Sequence, residues 1–234
     1  MALPEETEYA REFSLFLFDN GIIELGEFTL SSGETSPYYI DIRKLMGHPI
    51  EYSNMIDMLG SMVVSPAQLW SAPDVGVVGV PTGGLAIAAS LAYATKLPLG
   101  YVRKEAKSYG TGKRVEGMDV SGHEVVLIED VVTTGGSVAA AIAPLREAGA
   151  TVHHVCTVID RVCGGEKRLA IEGVVLHSLL SILDLAEHLR AAGRISTETA
   201  LELLMSTEVS DPRYNPMPRS QLRHPHKPPP PPLA

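Results

Sequence analysis

Short apolar runs alternate with helix-like patterns from residue 75 to residue 192, and this alternation constrains the fold more than any other feature. Residues 75–80 are almost all apolar, which is typical of a strand covered on both faces in a parallel sheet. Alternating strand and helix signals predict parallel strands with helices packed on both faces. The predicted strands are 75–80, 99–103, 124–129, 151–159 and 173–177, and the predicted helices are 84–95, 136–148 and 182–192.

The residues before this alternation predict a helical start and then a mixed segment. Apolar residues recur at helical spacing over 5–20, and Gly21 stands where a helix C-cap belongs. Residues 28–46 combine turn residues with a β-prone stretch, and residues 50–64 return to a helical pattern. We therefore expect an N-terminal helix, a separate polar segment and a second helix before the sheet begins.

Two stretches interrupt the regular pattern. Residues 104–123 are polar and contain glycines, and a segment this long is usually a functional lid or disordered. The last 24 residues, from Asp211, hold 9 of the 17 prolines, which predicts a solvated, partly polyproline II tail. A role of this tail as an SH3-type ligand stays open. The expected organisation is one domain over residues 1–210 and a flexible Pro-rich tail over 211–234.

The composition limits which binding partners and which cellular compartment are expected. A formal charge of −9 argues against broad nucleic-acid binding, which depends on a surplus of Lys and Arg. No apolar run is long enough to span a membrane, and acidic residues occur where a signal peptide needs a basic start. The two cysteines are too few for a disulfide framework or a zinc site. We expect a cytoplasmic protein that binds neither membranes nor nucleic acid.

The run VVLIEDVVTTGGS, residues 125–137, has the composition of a phosphate and ribose site. A loop at the carboxyl end of a parallel strand, followed by a helix N-terminus, offers backbone N–H groups and a positive dipole end to a phosphate. Carboxylates suit ribose hydroxyls, and Asp130 is also a candidate catalytic group that contacts Mg²⁺ through water. The expected contacts are Glu129, Asp130, Val131, Val132, Thr133, Thr134, Gly135, Gly136 and Ser137.

Two other phosphate-binding motifs do not match this run. It has no Lys in a G-x-x-x-x-G-K frame, and no G-x-G-x-x-G follows the first strand. A generic strand–turn–helix with a surface acid pair is the plain alternative. The order strand, acid, acid, Thr, Thr, Gly, Gly, Ser resembles the phosphoribosyl diphosphate signature of type I phosphoribosyltransferases. The resemblance implies an α/β fold with a central, mostly parallel sheet flanked by helices, a small N-terminal hood within residues 1–50, and Mg²⁺ as cofactor.

The stretch FTLSSGETSPYYIDIR, residues 28–43, resembles the N-terminal substrate segment of orotate phosphoribosyltransferases. The resemblance implies that Tyr39 and Ile40 contact orotate. This chain departs from the family at Ser31, where the family commonly has Lys. A Lys contact with the diphosphate is therefore not implied for this chain.

The stretch YVRKEAKSYGTGKRVEG, residues 101–117, resembles the catalytic loop of the same family. The resemblance implies catalytic roles for Arg103, Lys104, Lys107 and Tyr109, and Tyr109 stands where many bacterial members have His. Cations placed at the leaving diphosphate stabilise the charge that develops there. In the family this loop reaches the neighbouring subunit, which implies a homodimer with shared active sites. A solvated, mixed-charge surface segment is the alternative interpretation.

The stretch VIDRVCGGEK places Arg161 directly after an apolar strand and resembles the acceptor-binding turn of the family. A guanidinium in this position can donate two parallel hydrogen bonds to a planar carboxylate or pyrimidine edge. The resemblance implies that Arg161 binds orotate with help from Thr133. A surface pair of Asp160 and Arg161 is the simpler alternative.

The stretch GVPTGGLAIAASLA, residues 79–92, resembles the first strand–turn–helix unit of the family. The resemblance implies that Thr82 and Gly83 bind the diphosphate through backbone amides, as in a small anion nest. A purely structural turn before a helix is equally compatible with these residues.

Together these stretches identify the chain as a member of the orotate phosphoribosyltransferase family. Membership implies transfer of a phosphoribosyl group from phosphoribosyl diphosphate to orotate, which gives orotidine 5′-monophosphate and diphosphate in pyrimidine biosynthesis. Two alternatives stay open: a related enzyme with a purine or uracil acceptor, and a regulator that keeps the fold but binds nucleic acid without turnover. The histidines are interpreted as structural or solvated, because no third ligand stands at metal spacing.

Overall fold

The computed structural model describes residues 4–29, 35–64, 75–103 and 114–207. The strands are β1 (Ile23–Thr29), β2 (Thr35–Ile40), β3 (Val75–Gly79), β4 (Leu99–Val102), β5 (Val115–Gly117), β6 (Glu124–Val132), β7 (Thr151–Asp160) and β8 (Val175–Ser181). The α-helices are α1 (Pro4–Asp19), α2 (Pro49–Val64), α3 (Gly83–Thr95), α4 (Gly136–Glu147), α5 (Gly165–Ile171), α6 (Ile182–Ala191) and α7 (Thr197–Met205), and a 3-10 helix covers Ile42–Gly47.

The main sheet has six strands in the order β5-β4-β3-β6-β7-β8. Every neighbouring pair is parallel except β4 and β5, which are antiparallel. The predicted parallel α/β sheet is therefore confirmed. Strand β6 lies between β3 and β7, so the end of the VVLIEDVVTTGGS strand is flanked by the ends of the strands that carry the other two predicted motifs.

Helices cover both faces of the main sheet, as predicted. Alternate strand residues such as Val126 and Ile128 belong to a core shared with α1, α2, α3, α6 and α7. Their neighbours Val125 and Leu127 belong to a second core shared with α4 and α5. Strands buried on both faces need apolar residues at nearly every position, which explains the continuous apolar runs in the sequence.

The N-terminal part forms a small unit beside the main sheet, here called the hood and defined as β1, β2 and the 3-10 helix. Strands β1 and β2 pair antiparallel in a two-stranded sheet of their own. The chain enters the hood through Gly21, which ends α1 at φ +64° and so uses the left-handed conformation that glycine tolerates best. This agrees with the C-cap predicted at Gly21.

Several elements were not predicted from the sequence, namely β1, the 3-10 helix, β5, α5 and α7. Strand β5 lies inside the segment predicted as a single loop over 104–123 and pairs with the edge of β4. The Arg103 N–H donates to the Arg114 carbonyl over 2.8 Å, which joins the two ends of the segment 104–113.

Two further expectations concern the C-terminal tail and membrane-spanning helices. The predicted Pro-rich tail over 211–234 lies outside the described residues. Among the helices that the structure describes, none combines the length and the apolar character needed to cross a membrane.

Candidate active site

The two acids of the central motif lie within β6, because the strand continues to Val132 instead of ending at residue 129 as predicted. The Glu129 side chain is buried, and its Oε1 accepts the Asp130 N–H over 3.1 Å. Asp130 is half-buried, and its Oδ1 accepts the Val131 N–H over 3.0 Å. These local hydrogen bonds hold both carboxylates in defined orientations at the carboxyl end of the sheet.

The turn between β3 and α3 lies directly against this acid pair. A Cβ atom built on Gly83 would lie 2.0 Å from Oδ2 of Asp130, and one built on Gly84 would lie 2.2 Å from the Ile128 carbonyl. The peptide bond between Pro81 and Thr82 is cis. Thr82 is exposed, and its side chain makes no capping hydrogen bond to α3. The predicted diphosphate residues and the predicted ribose residues thus share one edge of the sheet.

Helix α4 begins with a turn that suits an anion. Its N-cap, Gly135, has φ +71°, and no side chain caps the first turn. In contrast, α6 begins with a capping box at Ser181, and α7 is capped by Ser196. Uncapped N–H groups at a helix N-terminus are ready donors to phosphate, and the helix dipole adds to the attraction. Thr134 and Ser137 flank this turn with exposed side chains, and Thr133 is half-buried.

The turn before α5 supports the phosphate loop from behind. A Cβ on Gly165 would lie 2.6 Å from Cγ1 of Val132 and 2.9 Å from the Thr133 carbonyl, so only glycine fits at this close approach. The sequence patterns indicated no role for Gly165. The Gly-Gly pair in VIDRVCGGEK was the available signal, because paired glycines often mark close contact between two backbones.

Arg161 follows β7 and is buried, with 7% of its surface exposed. Its backbone N–H donates to the Val132 carbonyl over 2.9 Å, which places it beside the phosphate loop. Its guanidinium donates from Nε to the Tyr38 hydroxyl over 3.0 Å and from Nη2 to the Ser36 hydroxyl over 2.8 Å. Arg161 therefore contacts the hood, and the alternative of an exposed surface pair with Asp160 does not describe this burial.

The two hood residues predicted to contact orotate differ in their surroundings. Tyr39 is 37% exposed, its ring lies 5.6 Å from the Phe28 ring, and its hydroxyl accepts a 3.5 Å hydrogen bond from Arg43 Nη2. Ile40 is partly buried and packs against the larger core. The neighbour Tyr38 is fully buried and contacts Arg161, so the structure brings Tyr38 rather than Tyr39 to this arginine.

Arg43 is a charged residue near the site, and the sequence patterns indicated no role for it. Its Nε donates to Asp41 Oδ1 over 2.6 Å. The hydrogen bond and charge of Asp41 raise the pKa of Arg43, and Asp130 adds to this effect. Arg43 therefore lies close enough to the predicted ribose carboxylate to interact with it electrostatically. The sequence signal that could have indicated this residue is its position as the basic residue at the end of the segment YYIDIR.

Only the first of the predicted loop cations lies in the described part of the chain. Arg103 follows β4, and its Nη1 lies 3.9 Å from Oε1 of Glu116 on β5. Lys104, Lys107 and Tyr109 lie outside the described residues, as does Ser31. At Arg103, the edge of the sheet therefore supplies a cation at the start of the predicted catalytic loop.

The described residues contain no group of three or more His, Cys, Asp or Glu side chains that could hold a metal ion. Glu129 and Asp130 nevertheless offer carboxylate oxygens beside the anion-binding turns. Mg²⁺ is commonly held by one or two carboxylates together with substrate phosphates and water. The carboxylates present fit that mode of binding.

Asp160 ends β7 with a buried carboxyl group whose pKa is raised to about 6 by burial, although the Val162 N–H opposes the shift. Because the pKa is raised in the folded state, the protonated Asp160 carboxyl group favours folding. This contribution to the free energy of unfolding is complete below about pH 4 and is lost as the pH rises through 6. We expect Asp160→Asn to increase the free energy of unfolding at pH 7.5 by up to about 3 kcal/mol, and at pH 4 by only about 0.5 kcal/mol.

Urea unfolding at several pH values measures this difference. The exposed Asp119, whose carboxylate accepts the Ser121 N–H over 3.1 Å, provides the control variant Asp119→Asn. Equal effects of the two substitutions at pH 7.5 would contradict the interpretation of Asp160.

Comparison with known proteins agrees with this geometry. The family model described as "Phosphoribosyl transferase domain" matches residues 67–179. An orotate phosphoribosyltransferase of Cenarchaeum symbiosum (strain A) is 44% identical over 183 residues, which cover 78% of this chain and 90% of that protein.

Solved structures show the same likeness. The crystal structure of orotate phosphoribosyltransferase from Aeropyrum pernix has 38% sequence identity and a TM-score of 0.63, covering 77% of this chain and 99% of that one. The Mycobacterium tuberculosis H37Rv enzyme in complex with 5-phospho-alpha-D-ribosyl 1-diphosphate has 26% identity and a TM-score of 0.60, covering 75% of this chain and 98% of that one.

The parallel sheet, the acid pair and the uncapped α4 turn define a type I phosphoribosyltransferase. The sequence identity and coverage of the relatives also show which family within this class the chain belongs to. The chain belongs to the orotate phosphoribosyltransferase family.

Proposed function

We propose that this chain transfers the 5-phosphoribosyl group of phosphoribosyl diphosphate to N1 of orotate. The products are orotidine 5′-monophosphate and diphosphate, in the de novo synthesis of pyrimidine nucleotides. The observation that carries the proposal is that the acid pair, the uncapped α4 turn and Arg161 lie at one edge of the sheet. A donor with a 5-phosphate and a diphosphate, and an acceptor with a carboxylate, need this combination of groups.

The donor binds along the carboxyl ends of β3 and β6. The 5-phosphate occupies the turn from Thr133 to Ser137, where uncapped N–H groups and hydroxyls converge. The diphosphate lies at Thr82 and Gly83, next to Asp130. The carboxylates of Glu129 and Asp130 accept hydrogen bonds from the ribose hydroxyls, while Val131 and Val132 complete the strand that carries them.

Mg²⁺ is the proposed cofactor, and Asp130 contacts it through water. When bound with the donor, the ion would supply positive charge beside the leaving diphosphate. The remaining positive charge comes from Arg103, Lys104 and Lys107, with Tyr109 as a neutral hydrogen-bond donor. Catalysis then depends on positioning and on electrostatic stabilisation, and no side chain acts as a nucleophile.

The acceptor lies between the hood and the end of β7. Arg161 donates hydrogen bonds to orotate, and Thr133, Tyr39 and Ile40 complete the contacts. The position of Arg161 beside the Val132 carbonyl supports this arrangement, because it brings the acceptor next to the ribose site. The proposed assembly is a cytoplasmic homodimer in which the loop after Arg103 serves the neighbouring subunit.

A spectrophotometric assay tests the proposed acceptor. The protein is mixed with phosphoribosyl diphosphate, Mg²⁺ and one base at a time: orotate, uracil, adenine, guanine or hypoxanthine. We expect loss of orotate absorbance only when the donor and Mg²⁺ are both present, together with release of diphosphate. Turnover of another base under conditions in which orotate is not consumed would refute the proposed acceptor, and absence of turnover with all bases would favour a regulator.

A further inference from the structure

We infer that Ser36 and Tyr38 of the hood strand β2 are positioning residues, which fix the guanidinium of Arg161 in the orientation that recognises the carboxylate of the acceptor. The inference rests on the proposed function, because it assumes that Arg161 binds orotate. It concerns two residues for which the sequence suggested no role. It also assigns acceptor recognition to a contact between two separate sheets, the hood and the main sheet.

The two hood hydroxyls bind one edge of the guanidinium. Nε and Nη2 of Arg161 form one side of the planar group, and they donate to Tyr38 over 3.0 Å and to Ser36 over 2.8 Å. The guanidinium carbon also lies 4.5 Å from the centre of the Tyr38 ring. One edge and one face of the group are therefore fixed by the same strand, which leaves little freedom of rotation.

The Ser36 hydroxyl is fully used in this arrangement. It donates to the Tyr38 carbonyl over 2.7 Å and accepts from the Tyr38 N–H and from Arg161 Nη2. A hydroxyl has one proton to donate and two lone pairs to accept with, so all three are engaged. Ser36 is buried, with 3% of its surface exposed. Removal of its oxygen would leave an N–H of a buried cation without this partner.

Tyr38 is anchored from a second direction. It is completely buried, and its strand β2 also contacts helix α7. Burial raises the pKa of Tyr38, although Arg161 opposes the shift, so the hydroxyl stays protonated near neutral pH. Tyr38 therefore acts as a rigid hydrogen-bond acceptor for Arg161. Because its hydroxyl is neutral, it does not compete with the carboxylate of orotate for the guanidinium.

The opposite end of the guanidinium is the part that suits a ligand. Nη1 and the second proton of Nη2 point away from the hood hydroxyls, and no described residue receives a hydrogen bond from Nη1. Two parallel N–H groups match the two oxygens of a carboxylate. Because the inner edge is fixed by Ser36 and Tyr38, the outer edge is presented in a single orientation.

The test compares two product nucleotides that differ in one group. Orotidine 5′-monophosphate carries the carboxylate, and uridine 5′-monophosphate lacks it. We expect the wild-type protein to bind the former more tightly in calorimetric titrations. Tyr38→Phe and Ser36→Ala should each reduce this preference about tenfold, since the loss of a hydrogen bond to a charged group is typically about 1.5 kcal/mol or more. Affinity for phosphoribosyl diphosphate should stay within about twofold of wild type.

Matched variants control for the general loss of a hydroxyl. Tyr52→Phe removes a hydroxyl that lies 3.0 Å from Ser90 on α3, and Ser14→Ala removes a buried hydroxyl 2.9 Å from His188. Both should keep the wild-type preference, and thermal unfolding verifies that all four variants are folded.

Each outcome separates the inference from the function on which it rests. If the wild-type protein shows no preference for the nucleotide with the carboxylate, the proposed acceptor is wrong. If the wild type shows the preference and the two hood variants retain it, the positioning role is wrong. Equal loss of affinity for the nucleotides and for phosphoribosyl diphosphate would also overturn it, because that result describes general damage to the site.

Discussion

Replacement of Asp130 by Asn is expected to lower the rate of orotidine 5′-monophosphate formation about 100-fold or more at saturating substrate. The substitution keeps the shape of the side chain and an oxygen that can accept the Val131 N–H, so the strand end should stay folded. It removes the negative charge that the proposed function places at the ribose hydroxyls and at the hydrated Mg²⁺. Steady-state assays with varied donor and Mg²⁺ measure the effect.

The same chemical change at Asp119 serves as the control, because that carboxylate is exposed and accepts the Ser121 N–H. Asp119→Asn should retain wild-type turnover. A rate for Asp130→Asn within about threefold of wild type would exclude a catalytic role for this carboxylate.

Asp130→Asn subunits also test the proposed shared site. Lys107→Ala is expected to be nearly inactive, because it removes a cation proposed to stabilise the leaving diphosphate. If the loop acts on the neighbouring subunit, a mixed dimer contains one site with intact Asp130 and intact Lys107, so mixing the two variants should restore activity. A verified mixed dimer without recovered activity would show that each loop serves its own subunit.

Gly84→Ala is expected to have the largest effect on stability, with a loss of about 3 kcal/mol or more in the free energy of unfolding. The added Cβ would lie 2.2 Å from the Ile128 carbonyl and 2.9 Å from the Glu129 Cα. Both are backbone atoms of β6, the strand between β3 and β7, so relief of the overlap requires α3 to move away from the sheet. Chemical denaturation of the variant measures the loss.

Gly60→Ala is the matched control, because it makes the same change inside helix α2. There the new Cβ would meet Thr95 at 3.4 Å and Leu91 at 3.6 Å, which are ordinary contacts with side chains. Alanine is favoured over glycine in a helix by about 1 kcal/mol, so this variant should be unchanged or slightly more stable. Equal stability of the two variants would contradict the close packing of α3 on β6.

The main sheet could be predicted because its strands carry a strong local signal. Strands covered by helices on both faces need apolar residues throughout, and runs such as 75–80 therefore identify themselves. The missed elements are shorter or carry mixed patterns. Strand β5 has 3 residues and α5 has 7, which is too few for a periodicity to appear. The position of β5 depends on its pairing with β4, and the position of α5 depends on its contact with β8. No local sequence pattern specifies either contact.

The candidate site also has a part that could be predicted from the sequence and a part that could not. The phosphate turn could be predicted because the strand, its acids and its helix are contiguous in the sequence. The contact between Gly83 and Asp130 could not, because it joins the start of α3 to β6, and β3 and β6 become neighbours only in the folded sheet. Arg161 and Tyr38 are 123 positions apart, and no local pattern distinguishes Tyr38 from Tyr39. Their different burial follows from the side of β2 on which each side chain lies.

The hydrogen bond between Arg103 and Arg114 limits how far the segment between them can extend. Both ends of the ten residues 104–113 start from nearly one point on the edge of β4 and β5. A chain tethered at both ends extends at most half its contour length, which is roughly 18 to 20 Å for the eleven steps from 103 to 114. Lys107 is four steps from Arg103, so its Cα lies within roughly 13 to 14 Å of the tether. Any active site that Lys107 serves, in its own subunit or in a partner, must therefore lie within that distance plus the length of one Lys side chain.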